Sequence, residues 1–457
     1  MSVVERYFGH VFDGLAEAVP SGPPEPCPGW RRAPGKPSWI VQLPSDIGDP
    51  LVEWSRDGGP SAVLDESGLA TLLAYGAGPS CAEFGPQSGW PLHRMPPSAR
   101  CAHPCSVWVI GDGDHGRYFP EHHQLRFSGP PRPAWSAIKV AVTAAAGVVS
   151  AHYGDYAYRL LVQEAGLVLG NLLLVARSMG LSVRPDERTP GEMDAALHLP
   201  NEVTLAALEL RATVTAVRLG PARRVGDDVM RDCAAEVPAV HQAVRHSRFR
   251  GGRGQETPDG AGPEAGTRWS RIRRYRDSGD PGFVPSPRPV SPAAVARLCA
   301  AARGSAFPDI WSGLPPLRLL VAGVNVEGTP PALVFDEAPL PQDPVAFLRG
   351  CQMLPSANAH LAAATLFLLA DRDEWLDRRA VRALLDLHLR AGEAAMRTLV
   401  AASADELVAR VHNGFLTGPL RRLDGDRPWV APFAIMISRP RPSARYRFDV
   451  GVGGKGR

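Results

Sequence analysis

The stretch QEAGLVLGNLLLVARSMGL, Gln163 to Leu181, decides the fold. With Leu160 and Leu161 just before it, its apolar residues (Ala165, Val168, Leu169, Leu172, Leu173, Val175 and Ala176) cover nearly every face of a helix. A helix apolar all round is buried on all sides. Ala165, Gly166 and Gly170 remove bulk and permit close contact with another helix. LRAGEAAMRTLVAASA, Leu389 to Ala404, has the same character, with Gly392 in the place of Gly166. Two such helices pack most simply against each other.

The segments around them repeat as well. A short helix precedes each in LDESGLATLLAYGAG and in SPAAVARLCAAARG. A β-hairpin follows, Ser106 to Phe119 in one half and Leu317 to Asp336 in the other, and then the long helix. Between the halves lies HSRFRGGRGQETPDGAGPEAGT, His246 to Thr267, rich in Gly and Arg and without apolar periodicity, which reads as a linker. The expected division is an N-terminal segment 1–29, a first copy 30–245, the linker 246–267 and a second copy 268–457. The two long helices would meet at the interface of a fused pseudo-dimer.

Composition removes several classes. The 457 residues carry 50 Lys+Arg against 47 Asp+Glu, a net charge of +3, which argues against a nucleic-acid protein held by a broad basic face. Lys36, Lys139 and Lys455 are the only lysines, so lysine-dependent chemistry has three candidates. The seven cysteines include no CxxC pair, and no second Cys/His pair stands at zinc-site spacing, so no metal site is expected. MSVVERYFGHVFDGLAEAV lacks the apolar run of a secretory signal. The apolar run Val140 to Ala151 is too short to span a bilayer. A soluble, cytoplasmic protein without membrane attachment is expected.

Three short motifs offer chemistry. The final GVGGKGR fits a G-x-G-x-x-G pattern, but no helix follows to receive a pyrophosphate. It reads as a solvated tail, or as Lys455 and Arg457 gripping one phosphate. RMPPSARCAHPCSVWVI, Arg94 to Ile110, contains a Pro-Ser turn. Such a turn is either ordinary or able to lay amide and hydroxyl donors against the edge of a flat heterocycle. HYGDYAYR, His152 to Arg159, holds three tyrosines and a histidine. They pack with their hydroxyls at a rim, or His152 and Tyr153 form a proton donor and acceptor pair.

Taken in order, LATLLAYGAG, PPSARCAHPCSVWVIG, GRYF before HHQL, and HYGDYAYRLLVQEAGLVLGNLLLVARSMGL resemble the nitroreductase-like flavoproteins. More narrowly they resemble azoline dehydrogenases of the streptolysin and microcin type, in the branch found in thiopeptide biosynthesis. The resemblance covers residues 30 to 200 well and 268 to 457 more loosely. It implies an α+β, nitroreductase-like fold in two tandem copies forming an intramolecular pseudo-dimer with FMN bound between them. It also implies oxidation of peptide thiazolines or oxazolines to thiazoles or oxazoles, with an azoline-containing precursor peptide and a cyclodehydratase as partners.

Carried onto this chain, the resemblance implies that Arg268, Ser270, Lys455 and Arg457 hold the phosphate. Asn413 and Gly414 would approach the flavin from the second copy, and Pro97, Ser98 and Ala99 from the first. Tyr153 is the candidate base, helped by His152 or by the cation of Arg159. The chain departs from the family where His152-Tyr153 replaces Lys-Tyr and where EWSRDGG stands at the start of the first copy. The first copy lacks a Lys-x-Arg ending and the second a Pro-Ser loop, so one composite site is expected, with an empty twin. Two alternatives stay open: an NAD(P)H-dependent nitro or quinone reductase, and a catalytically degenerate scaffold that presents the peptide to a cyclodehydratase.

Overall fold

The computed structural model describes residues 2–14, 18, 32–33, 38–52, 63–84, 92–145, 147–199, 202–225, 229–230, 266–279, 283–424, 427–441 and 446–449. The long helices are α1, Ala157–Ser178, and α2, Ala383–Ala404. Both begin about two turns earlier than the apolar pattern suggested, because each grows from a 3-10 turn, Gly154–Tyr156 and Ala380–Arg382. Helix α1 stops where Gly180 takes a left-handed φ of 71° and the Leu181 amide bonds back to the Ala176 carbonyl.

The two helices cross at their glycines. A Cβ on Gly392 would lie 2.2 Å from the Gly166 carbonyl carbon, and one on Gly166 would lie 2.2 Å from the His388 carbonyl oxygen. Backbone meets backbone, which no larger residue allows. The window of α1 that is long and apolar enough to cross a membrane is buried throughout.

An antiparallel sheet stands beside each helix. The first contains β1 Ser38–Gln42, β2 Cys105–Gly111, β3 Asp114–Phe119, β4 Gln124–Phe127, β5 Ile138–Ala144, β6 Ser182–Pro185, β7 Val203–Arg211 and β8 Arg223–Val225. Their spatial order is β6-β7-β5-β2-β3-β4-β1-β8. The second contains β9 Arg318–Gly323, β10 Ala332–Phe335, β11 Ala338–Leu340, β12 Ala364–Asp371, β13 Val408–His412 and β14 Trp429–Ser438, in the order β13-β14-β12-β9-β10-β11. Six strands of the first sheet therefore match the second in both chain order and spatial order.

The β2–β3 hairpin turns through Asp112 and Gly113, both at positive φ, as a two-residue turn between twisted strands requires. Short helices Glu66–Ala77 and Pro292–Arg303 cover α1 and α2 in turn. One exchange ties the halves further: strand Tyr446–Asp449, late in the chain, pairs with Cys81–Phe84 of the first half. At the other end, Asp13 bonds to Arg372 and Arg421 of the second half, at 2.9 and 2.7 Å. Of the linker 246–267, only 266 and 267 are among the described residues.

Candidate functional site

A cavity of about 560 Å³ opens between the halves, beside the N-terminal part of α1. Adjacent residues of that helix hold two of its walls. Gln163 accepts a hydrogen bond from the Asn413 side-chain amide at 2.5 Å and donates to the Pro432 carbonyl at 2.7 Å. Tyr156, two turns earlier, donates to the Asn413 carbonyl at 3.3 Å. The turn Asn413–Gly414 of the second half is thus fixed by the helix of the first. Gly414 is small for a reason, since a Cβ there would come within 3.1 Å of His412 Nε2.

Glu164 holds the opposite wall. Its carboxyl accepts the Ser98 hydroxyl at 2.8 Å, and the same Ser98 oxygen accepts the His103 amide at 2.8 Å. The loop beyond carries Arg100, Cys101 and His103 at φ of 53°, 50° and 47°. Three left-handed non-glycine residues in one loop are costly, and the surrounding hydrogen bonds hold them there. With the Ser98 hydroxyl committed, the wall offers backbone groups to an occupant.

Cations gather at one end. Arg276 bonds the Ala409 carbonyl at 3.1 Å, and Arg410 bonds the carbonyls of Ser278 and Gly279 at 2.8 and 3.1 Å. Ser278, Gly279 and Asp277 share this end. On another side stand Glu83, His93 and Cys101, with Cys101 Sγ 3.6 Å from His93 Nδ1 and His93 Nε2 4.0 Å from Glu83.

Burial sets the charge states. It pushes the Glu164 carboxyl up to about 8, although the Ser98 hydroxyl and Arg94 oppose it. Burial, with Arg410 nearby, brings the His412 imidazole down to about 4. The Cys101 thiol rises to about 11 through burial and the neighbouring Glu164, Glu83 and Cys81. Burial thus disfavours the charged form of each of these three groups.

Of the residues singled out from sequence, Pro97, Ser98, Ala99, Tyr153, Asn413 and Gly414 line this one cavity. His152 does not, and its ring centroid stands 6.5 Å from that of Tyr153. Arg268 and Ser270 are also elsewhere. Arg268 donates to the Asp49 carbonyl at 2.7 Å, and Ser270 donates through Oγ to the Asp49 carboxylate at 2.6 Å. Arg276 and Ser278, which repeat the Arg-x-Ser spacing just past the helix Trp269–Tyr275, do line the cavity. Arg159 is buried, bonding the Val11 carbonyl at 2.7 Å and the Ala431 carbonyl at 3.1 Å. The cation over the Tyr153 ring is Arg100, 5.8 Å from its centroid. Lys455 and Arg457 lie outside the described residues.

The equivalent place around α2 is built from different residues. Setting Gly392 against Gly166 pairs Tyr153 with Arg379, Tyr156 with Arg382, Glu164 with Arg390 and His412 with Asp186. Arg379 and Arg382 bind the fully buried Asp386 at 2.5 and 2.7 Å, and Arg390 binds Glu393 at 2.7 Å. Asp186 takes Lys139 at 2.7 Å and Arg188 at 2.9 Å. Among the described residues the space left there is about 30 Å³, enough for little more than water.

No family model matches the chain, and neither does any curated protein sequence. Among solved structures, a protein described as a nitroreductase from Anabaena variabilis aligns over 96% of this chain and 100% of its own, with a TM-score of 0.66 at 16% identity. The fold is nitroreductase-like. Two further structures align over less of the chain. A protein described as a nitroreductase from Ralstonia eutropha covers 43% of this chain and 97% of its own (TM-score 0.30, 18% identity). The E. coli microcin synthetase McbBCD complex with truncated pro-MccB17 covers 46% and 91% (TM-score 0.28, 16% identity). Scores this low carry no weight for function.

Proposed function

We propose that the chain is an FMN-dependent dehydrogenase that oxidises azoline rings of a ribosomally made peptide to aromatic azoles, the two halves acting as an intramolecular pseudo-dimer around one flavin. The observation that carries this reading is the roomy cavity between the halves, among the described residues. It joins the Pro97–Ala99 wall of one half to the Asn413–Gly414 turn of the other and has arginines at one end. Its volume lies in the usual range for small-molecule sites, ~300–1,000 Å³. The donor set suits FMN, with Arg276, Arg410 and Ser278 for the phosphate and backbone groups of the walls for the ring system.

Lys455 and Arg457 would add charge at the phosphate. Asp449, six residues before Lys455, pairs with the cavity residue Cys81, and six extended residues span roughly 20 Å.

When bound, FMN supplies the two-electron acceptor. The chain's own residues orient the ring and move a proton. Tyr153 is half-buried in the cavity wall, where its oxygen, as phenolate, would take the acidic ring proton and become the hydroxyl. Arg100 lies over the Tyr153 ring, 5.8 Å from its centroid, and would help to hold it in place. Aromatisation provides the driving force, so most of the protein's task is orientation. Each ring loses two hydrogens. An azoline-containing peptide made by a cyclodehydratase is the expected substrate.

The test is mass spectrometry of such a peptide after incubation with the flavin-loaded protein and oxygen. Loss of two hydrogens per ring is expected, with Tyr153→Phe slowed by about 100-fold or more. Turnover of the variant at the wild-type rate would remove Tyr153 from the role. Steady NADH oxidation with a nitro or quinone acceptor, and no change in the peptide, would select the reductase reading instead.

A further inference from the structure

Helix α1 begins without a cap of its own. Tyr156 stands in the capping position with φ −68° and ψ −17°, and its side chain makes no bond to the first turn. The first amides of a helix need partners from outside it. One such partner comes from another helix. Tyr7, of the helix Val3–Phe12, accepts the Arg159 amide on its hydroxyl at 3.2 Å and donates to the Asp155 carbonyl at 2.5 Å. A single oxygen therefore clasps both sides of the bend at Tyr156, with one bond in the 3-10 turn Gly154–Tyr156 and one in α1.

The neighbours of Tyr7 reinforce the clasp. Tyr7, His10 and Val11 share one face of their helix. His10 Nε2 lies 3.3 Å from the Asp155 carboxylate, and the Val11 carbonyl accepts the Arg159 guanidinium at 2.7 Å. The Tyr7 ring meets Tyr158 edge-on, 6.0 Å between centroids. Just past the helix, Asp13 accepts the Thr417 hydroxyl at 3.1 Å as well as binding Arg372 and Arg421. Thr417 is the third residue beyond Gly414. The helix is thus tied to the bend beside Tyr153 in the first half and to the segment leading from the Asn413–Gly414 turn in the second.

We propose that Tyr7 is a positioning residue for Tyr153: its hydroxyl clasps the bend at Tyr156 and so fixes where the Tyr153 oxygen stands in the cavity, while the helix Val3–Phe12 straps that bend to the second half. The inference rests on the reading of Tyr153 as the base and names what holds it. Tyr153 closes the helix Gly147–Tyr153, and Gly154 follows at a left-handed φ of 50° with no side chain to stiffen the bend. Rigidity there has to come from outside, and Tyr7 supplies it. Tyr7 is not itself a lining residue of the cavity, so it acts through the turn.

Tyr7→Phe removes one oxygen and keeps the ring against Tyr158. Hydrogen exchange of the purified protein, read by mass spectrometry on peptides covering 154–162, should run at least about fivefold faster in this variant, because loss of a helix cap frees the first turn. Peptides from the start of α2 should exchange as before. With the flavin-loaded protein and an azoline peptide, kcat should fall about tenfold, since a small misplacement of a reacting group is costly. KM and the FMN dissociation constant should stay within about twofold, as for an interaction that matters only while the proton moves. Thr189→Ala, which uncaps the helix Pro190–Leu197 of the closed flank, is the comparison. It should lower the melting temperature comparably and leave kcat unchanged. His10→Ala, at a partly exposed position, should speed exchange at the bend by about twofold and tests the strap without touching Tyr7.

The expected result is a loss of kcat in Tyr7→Phe and not in Thr189→Ala, with faster exchange confined to the bend. Wild-type kcat in Tyr7→Phe while Tyr153→Phe is slowed would overturn the proposal and leave the base standing. So would an equal loss of kcat in Thr189→Ala, or unchanged exchange at the bend in both Tyr7→Phe and His10→Ala. Wild-type turnover by Tyr153→Phe, or no oxidation of the azoline by any of these proteins, would overturn the reading of Tyr153, and this inference with it.

Discussion

The two flanks of the helix crossing share a plan and differ in content. Beside α1 the corresponding positions carry Tyr153, Tyr156, Gln163 and Glu164, hydrogen-bonding groups that hold loops open around about 560 Å³. Beside α2 they carry Arg379, Arg382, Leu389 and Arg390; the arginines are ion-paired to Asp386 and Glu393, and the space lined by Arg382 and Leu389 is about 30 Å³. The repeated strand order offers two equivalent positions, and the side chains at them differ in kind. Hydrogen-bonding side chains leave room because each fixes a loop without needing a counter-ion. Buried charges demand partners, and beside α2 those partners are Asp386 and Glu393.

Removing what both flanks share should have the largest effect. Gly392→Leu drives a side chain into the Gly166 backbone and is expected to destabilise the fold by at least ~3 kcal/mol, read by denaturant unfolding. A variant with wild-type stability would mean that the helices do not cross there. Next comes the closed flank. Asp386→Ala strands two arginines around a buried position and should cost ~3–5 kcal/mol, with no change in bound flavin per chain. An increase in flavin would show that the second position can open.

A smaller effect is expected on the open flank. Arg276→Ala should weaken FMN binding by about 10- to 100-fold, as loss of one charge-assisted contact does. Arg268→Ala should stay within about twofold in the same titration, because Arg268 is engaged with Asp49 away from the cavity. The reverse ranking would return the phosphate role to the first Arg-x-Ser.

These distinctions were only partly legible in the sequence. The crossing helices could be read because glycines in an all-apolar helix have few other uses, and Gly166 and Gly392 do meet. The hairpins could be read from alternation and from Asp112-Gly113. The six wall residues now found together were named by motif, yet Arg-x-Ser recurs within one short stretch, at Arg268 and at Arg276, with the helix Trp269–Tyr275 between the two. Arg159 looked like a partner for Tyr153 because it is near in sequence, but helix geometry turns it towards Val11 and Ala431. Glu164 had a visible signal that went unused: Gln163 and Glu164 interrupt an apolar helix, and polar groups buried there need a partner. The identity of that partner, Ser98, depends on a loop whose left-handed residues no local pattern announced.

The most direct measurement of the central claim is the ratio of FMN to chain in the purified protein, from the visible absorbance spectrum and the protein concentration. One flavin per chain is expected, reflecting one open flank and one closed. A colourless protein that takes up no FMN, or one that holds two flavins per chain, would contradict it.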